Sequence, residues 1–512
     1  MNRRLFSRAL LAGPLLPASL LPATLLGGCG GRGEADDSDV IRFGIANAPR
    51  NLDPRLATDA TSERLNRLLY AALVDFDDAS RPAPGIARWE QTVPTRYLFH
   101  LGDDGRSFSD GTLLTSADVA ATYRSILDPA SASPHRALLE IIARIDSLDD
   151  DRLEFHLREP DPLFPGYLGI GILPARLIAS GHGFQREPVG SGPFRFEGWP
   201  EPGRVELTRR DDGQRFEFVT VKDPNVRVMK LLRGEVDLLQ NDLPPELVAF
   251  LRKRPGIQVE RADGSNFSYL GFNLEDPATG DLNVRRAVAH GIDRGAILHY
   301  LFQDGGRPAE ALFPPEHWAG TAALAAHAHE PQRAGELLSA AGYGDDNPLR
   351  LSYKTSSDPF RLRLATVIQA QLARVGIDLN IQSYDWGTFF GDIKAGRFQL
   401  YGLTWVGIRM PDIFRYVFHS AAIPPDGANR GRYRSDQADR LIEQARAEAD
   451  PWRQAALYRD LQSLLHAELP YVPLWYEDQI VASRAAIHGY RLAADGNYDA
   501  LDRVRRSPKL PL

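Results

Sequence analysis

Three places in this chain of 512 residues carry residue types and spacings that could do chemistry. Gly190-Ser191-Gly192 sets a serine between glycines, as in the sharp strand-to-helix turn that exposes a nucleophilic hydroxyl. Pro193 follows at once, where such a turn must enter a helix, so the segment reads as a structural glycine turn. His327-Ala328-His329-Glu330 has the residue types of a metal site. It lies in an Ala-rich stretch and the other histidines are scattered singly, so it reads as solvated loop histidines with no metal. Asp77-Asp78 and Asp149-Asp150-Asp151 are carboxylate runs of the kind that line solvated turns. No phosphate-binding glycine loop, nucleophile elbow or His-Glu-x-x-His pair occurs. These patterns ask for no catalytic residue and no cofactor, although residues can converge from distant positions in a chain.

One sulfur remains to be placed. Cys29 is the single cysteine, which excludes an intrachain disulfide and a cysteine-based metal site. Arg3, Arg4 and Arg8 precede an apolar run, Ala9 to Leu26, interrupted by Pro14, Pro17 and Pro22. Each interior proline costs a helix about 3 kcal/mol, so the run is a poor permanent span and a good cleaved signal. Its end, Leu26-Gly27-Gly28-Cys29, resembles the bacterial lipobox, which implies cleavage after residue 28 and a lipid-anchored Cys29. Asn2-Arg3-Arg4-Leu5-Phe6 also resembles a twin-arginine signal, so general and folded export both fit. Residues 29–39 read as a flexible polar tether. The expected location is extracytoplasmic, at a membrane surface.

The body that follows must position any binding residues. Its length asks for two or three domains. Apolar residues at 43% and charged residues at 25%, with 44 Gly and 37 Pro, describe a soluble globular chain and exclude a polytopic membrane protein, a fibre or a disordered chain. The formal charge is −7, and loss of three arginines with the signal leaves 57 basic against 67 acidic residues, −10. With no basic cluster, nucleic acid is not an expected partner. Short apolar alternations give way repeatedly to helical periodicity, the pattern of an α/β protein. Val40 to Ile45 reads as a strand, and Thr115 as the cap of a helix running to Leu127. Arg361 to Val375 reads as a helix ended by Gly376, with a strand through Ile377, Leu379 and Ile381. Ser435 should cap a helix through Glu448, a second helix runs from Pro451 to Ala467, and Tyr471 to Tyr476 returns as a strand.

Certain stretches are more particular. Asn51-Leu52-Asp53-Pro54, Leu69-Tyr70 with Leu73, and Pro82-Ala83-Pro84-Gly85-Ile86-Ala87 are followed by Phe108-Ser109-Asp110-Gly111 and Val189-Gly190-Ser191-Gly192-Pro193-Phe194. Gly234-Glu235-Val236-Asp237, Phe272-Asn273, Ile292-Asp293-Arg294 and Ala340-Ala341-Gly342-Tyr343 continue the series. In this order they resemble the family 5 extracytoplasmic solute-binding proteins, the dipeptide, oligopeptide and nickel receptors of ABC importers. The resemblance covers nearly all of residues 40–480. It implies a two-lobed periplasmic-binding-protein (type II) α/β fold with an extra domain beside the first lobe. The first lobe would comprise 40–68, 188–272 and 481–512, the extra domain 69–187, and the second lobe 273–480. Hinge crossings would fall near Phe272-Asn273 and beyond Tyr476.

The same resemblance implies a monomer that captures a small solute and passes it to ABC permease and ATPase subunits. The competing expectation is a sensory or chaperone-like lipoprotein that signals without import. Peptide receptors of this family present an aspartate shortly after a Trp in the second lobe. Here Trp405 is followed by Val406-Gly407-Ile408-Arg409-Met410, with no acid before Pro411-Asp412, and Tyr70-Ala71-Ala72-Leu73 lacks another carboxylate. An ammonium without a counter-charge is disfavoured in a dry cleft. The expectation is therefore poor binding of free dipeptides and preference for an anionic, blocked or neutral solute. The expected ligand-binding residues are Trp405 and Arg409, with Tyr384, Trp386, Asn429 and Arg430 beside them.

Overall fold

The computed structural model describes residues 39–507; the expected signal, Cys29 and all but the end of the tether lie outside the described residues. The first apolar alternation forms β1 (Ile41–Ile45), nearly all of it buried. α1 (Ala60–Leu69) follows, started by Asp59, whose carboxylate accepts the Ser62 N–H at 2.9 Å. The chain then builds an antiparallel sheet from β2 (Ala87–Val93) and β3 (Arg96–Leu101), covers it with α2 (Ser116–Leu127), and completes it with β4 (Ile142–Ser147) and β5 (Arg152–Leu157), in spatial order β2-β3-β5-β4. α2 begins and ends as its sequence predicts. The Asp118 carboxylate accepts the Thr115 N–H at 2.8 Å, and its other oxygen accepts the Ala175 N–H at 2.7 Å. Phe99, Tyr123, Phe155 and Phe164 pack edge to face in the core of this sheet.

The chain returns beside β1 with β6 (Phe194–Gly198), β7 (Arg204–Arg209), β8 (Arg215–Thr220) and β9 (Leu238–Gln240). β8 and β9 flank β1 in parallel; Ile41, Phe43 and Ile45 turn one face of β1 into the core, and Arg42 on the other face pairs with Glu217 of β8 at 2.9 Å. The long β10 (Ile257–Phe272) then leads into a second set of elements: β11 (Gly306–Pro308), β12 (Leu349–Ser356), α3 (Pro359–Ala373), β13 (Ile377–Tyr384), α4 (Trp386–Ala395), β14 (Leu400–Trp405), α5 (Asp436–Ala447), α6 (Pro451–Glu468) and β15 (Tyr471–Arg484). One sheet of 11 strands results, in the order β13-β12-β14-β10-β15-β9-β1-β8-β7-β6, with β11 paired to β15. This is a two-lobed α/β fold: one core gathers Phe43, Leu207, Phe218 and Leu238 with Tyr498 and Leu501 from the tail, and another gathers Leu270, Val288, Leu351, Leu372 and Trp475.

Several boundaries differ from the sequence expectation for local reasons. α3 starts at Pro359, because Asp358 caps it by accepting the Arg361 N–H at 2.9 Å and proline suits the first helical position. β15 continues to Arg484, well past Tyr476, because β10 pairs with it along its length. That pairing loses register between Ala262 and Asn266, opposite Glu477 to Gln479, ahead of the crossing expected near Phe272-Asn273. Among the described residues no helix is long and apolar enough to cross a membrane.

Gly190-Ser191-Gly192 is a structural turn, as its sequence implied. It lies against the end of α1, where the Gly192 N–H donates to the Leu69 carbonyl at 2.9 Å. A Cβ at Gly192 would stand 2.4 Å from the Leu68 carbonyl oxygen, and one at Gly190 2.2 Å from that of Leu69. Backbone cannot move aside as a flexible side chain can. Gly192→Ala should therefore cost about 1–3 kcal/mol of stability. A urea-denaturation midpoint unchanged from wild type would contradict this packing.

Candidate functional site

In the second lobe the parallel strands β12, β13 and β14 end side by side at Ser356, Tyr384 and Trp405. In open α/β sheets, loops at these carboxyl ends border the ligand site. The loop leaving β14 does so here. Val406, Gly407 and Arg409 form one wall of a cavity of about 760 Å³. The opposite wall is built by α1 and by the tail around Asp495 to Asp502. A cavity of this size suits a small-molecule ligand.

Charge dominates its chemistry. The Arg409 guanidinium donates to the Asp495 carboxylate, lies 4.0 Å from Asp75 and rests over the Phe76 ring at 5.1 Å. Arg67 clamps Asp499 with Nε at 3.0 Å and Nη2 at 2.7 Å, and reaches Asp75 at 2.9 Å. Burial works against the Arg67 charge, yet the hydrogen bonds and charges of Asp499 and Asp75 hold its proton more firmly than usual. On the same helix face, burial and the charge of Asp59 push the Glu63 carboxyl above its ordinary range. Between them on that face is Asn66, only 6% exposed, bordering the cavity with neither amide atom hydrogen-bonded among the described residues. A buried unpaired amide costs about 1–3 kcal/mol, so Asn66 has much to gain from a polar solute.

The cavity thus contains Glu63, Asp75, Asp495, Asp499 and Asp502 beside Arg64, Arg67 and Arg409. This corrects the expectation that the cleft had lost its acids: the loop after Trp405 has none, but α1, Asp75 and the tail supply them. Sequence reasoning missed these residues. Glu63, Asn66 and Arg67 share the i, i+3, i+4 spacing of one helix face, which reads equally as a solvated stripe. The tail acids lie beyond the segment that carried the family resemblance.

Of the six residues expected to bind ligand, Arg409 lines the cavity and the other five do not. Trp405, Arg430 and Trp386 meet elsewhere. Arg430 is held between the rings of Trp405 (4.8 Å) and Phe390 (5.1 Å), Trp386 stacks on Phe390 at 5.4 Å, and Trp405 stacks on Tyr269 at 6.4 Å. The alternation of β14 turns Trp405 toward the helix-covered face that also holds Tyr269. Asn429 is spent on the loop, donating to the His419 and Tyr433 carbonyls and accepting the Tyr433 N–H. The Tyr384 ring lies beneath the Lys354 ammonium at 5.3 Å.

Two groups hold the Arg409 loop in place. His317, stacked on Phe313 at 3.9 Å, accepts the Ala319 N–H on Nδ1, so Nε2 carries the proton and donates to the Arg409 carbonyl at 2.8 Å. Burial pushes the His317 pKa down to about 4, keeping the ring neutral and this arrangement intact. Further along, Met410 enters the core of the antiparallel-sheet domain, and Asp412 faces Asp161 and Arg446 rather than the cavity. Burial, aided by the charge of Asp161, pushes the Asp412 pKa up to about 7.

The chain's similarities agree with this geometry. A sequence model of the bacterial extracellular solute-binding proteins, family 5 Middle, matches residues 52–423. Di/tripeptide-binding protein 2 of Pseudomonas aeruginosa (strain UCBPP-PA14) is 30% identical over 485 residues, spanning 87% of this chain and 91% of that protein. The solved structure of DppA from Helicobacter pylori in complex with peptide STSA superposes with a TM-score of 0.76 at 26% identity, over 92% of this chain and 98% of that one. CtaP from Listeria monocytogenes shares the fold, with a TM-score of 0.83 at 20% identity over 92% and 99% of the two chains.

Asp412 makes a pH-dependent prediction. Its folded pKa lies above the ordinary carboxylate value, so the folded state binds the extra proton and stability falls as pH rises from about 4 to 7. Asp412→Asn, nearly the same in size but without the charge, should raise stability at pH 8 by about 1–3 kcal/mol, with the gain vanishing near pH 4. Thermal melts across that range check it; a gain independent of pH would refute the linkage.

Proposed function

The chain belongs to the bacterial extracellular solute-binding proteins of family 5, and from that premise we propose that it captures short zwitterionic peptides and delivers them to the permease and ATPase of an ABC importer. The observation that carries this reading is the Arg409–Asp495 ion pair, which joins the two walls of the cavity. A zwitterion offers each member of that pair a new partner: its carboxylate to Arg409 and its ammonium to Asp495, with Asp75 close by. Capture then exchanges one ion pair for two inside a partly desolvated site, where charge-assisted hydrogen bonds are strong. Asn66 supplies an amide for the peptide backbone. The printed names of the similar proteins, a di/tripeptide-binding protein and a peptide complex, support a peptide of this size. This reading replaces the preference for an anionic, blocked or neutral solute, because the missing counter-charge arrives from the facing wall.

The moving parts follow from the sheet. We place the first lobe at 40–68, 188–272 and 481–512, the extra domain at 69–187 and the second lobe at 273–480. β10 and β15 run through both lobes, and their loss of register around Asp263-Gly264-Ser265 supports a hinge there. Open and closed states need differ by only a few kcal/mol, which a bound peptide supplies through contacts available only on closure. Cleavage after residue 28 and lipid attachment at Cys29 would tether the receptor at the membrane through the polar segment 29–39, keeping it near its permease.

Calorimetric titration of the purified protein with Ala-Ala and Ala-Ala-Ala, each free, N-acetylated or C-amidated, tests the proposal. Free peptides should bind with micromolar or tighter affinity. N-acetylation, or Asp495→Asn with a free peptide, should weaken binding by about tenfold or more, equivalent to about 1.4 kcal/mol. Equal affinity for free and N-acetylated peptides, or no peptide binding at all, would remove this reading.

A further inference from the structure

The second lobe contains a cluster that the solute cavity does not use. Between β11 and the helix Pro331–Ala340 the chain runs from 309 to 330 with no helix or strand. Irregular connections of this length are uncommon in compact domains and need something to hold them. Glu310 from its start and His327 from its end meet His466 of α6. Glu310 Oε2 is 3.2 Å from His327 Nδ1 and 3.6 Å from His466 Nε2, and the three donor atoms all lie within 4.8 Å of one another. The two imidazole rings are 4.1 Å apart. His327, expected as a solvated loop histidine, is turned inward with a side chain only 11% exposed. The neighbouring His329 is the one that remains near solvent.

These distances favour a shared ion over hydrogen bonding alone. At 3.6 Å the Glu310–His466 contact is too long for a hydrogen bond, and His466 Nε2 is buried with no hydrogen-bond partner among the described residues. Two ligand atoms each about 2.0–2.2 Å from a tetrahedral zinc stand about 3.3–3.5 Å apart, a spacing that 3.2 and 3.6 Å bracket. Around the donors lies the support a metal site requires. Arg294 donates to Glu310 Oε1 at 2.7 Å and to the His327 carbonyl at 2.8 Å, which leaves Oε2 facing the imidazoles. A small cavity of about 30 Å³, bounded by Glu310, His466 and Gln462, has room for one water as a fourth ligand.

We propose that Glu310, His327 and His466 bind one divalent transition metal of the zinc type, which staples the 309–330 segment to α6. Two imidazoles and a carboxylate suit zinc, cobalt or nickel and not calcium or magnesium. The site lies in the second lobe and is independent of the peptide reading. A second grouping, Asp146, Glu154 and His156 on the antiparallel sheet, differs in kind. There His156 Nε2 already lies 3.0 Å from each carboxylate and 3.2 Å from Arg144, so it serves as an internal control.

Chelator-stripped protein titrated with Zn²⁺ by calorimetry, and with Co²⁺ by visible absorption, tests the site without any peptide present. The expected result is one equivalent bound, the intense absorption of four-coordinate Co²⁺, and a metal-dependent rise in the melting temperature. His327→Ala and His466→Ala should each weaken that equivalent at least tenfold, and His156→Ala should leave it unchanged. Should either variant fail to fold, X-ray absorption of the wild-type Co²⁺ complex still decides the matter through its imidazole ligands. No stoichiometric binding by the wild type, a Co²⁺ spectrum without imidazole ligation, or loss of the equivalent in His156→Ala would overturn the proposal.

Discussion

The antiparallel pairing of β10 with β15 is the constraint on which the rest of the molecule depends. Through it β9 and β14 become members of one sheet, and two separate cores are strung on a shared spine. Toward β9 the two strands extend the sheet that contains β1; toward β14 they form the floor of the second lobe. Between Ala262 and Asn266 three residues of β10 have no partner on β15, and a second irregularity follows between Ser268 and Tyr269, so the ladder is weakest along this stretch. The pairing also leaves the carboxyl ends of β12, β13 and β14 opposite the start of α1.

That opposition determines the electrostatics of the cleft. Each wall alone would hold unpaired charge: Arg409 on one side, and a group of acids with Arg64 and Arg67 on the other. Facing one another, the walls neutralise in part through the Arg409–Asp495 pair, at the cost of some desolvation. The Arg409 loop is held by a neutral His317 at one point and by Met410 and Asp412 in the antiparallel-sheet domain at the next. The Arg409 loop is therefore tied to the core of the antiparallel sheet through its next residue, Met410.

Local elements were legible where a residue's own neighbours decide its conformation. The capped start of α2, the helices after Ser435 and Asp450, and the opening strand depend on capping side chains and short-range periodicity, and they form where the sequence places them. The glycine turn at 190–192 was readable for the same reason. Boundaries slipped where a neighbour far along the chain took over, as when β10 drew β15 out to Arg484. Trp405 and Arg430, both expected at the ligand, meet in a stack of rings and guanidinium away from the cavity, Trp405 turned there by strand alternation and Arg430 brought by its loop.

The sequence by itself determined most of the secondary elements, the two-lobed family architecture and the charge that Arg409 brings to the loop after Trp405, because these follow from local propensity and from motifs in a constant order. Only the tertiary structure decided which acid meets that charge. Asp495 and Arg409 are 86 residues apart, and Arg67 and Asp499 are 432 apart. Electrostatic attraction depends on distance in space, and no local pattern encodes a distance that closing a long chain creates. The same holds for Glu310, His327 and His466, whose chemistry begins only where the fold brings three distant residues within reach of one ion.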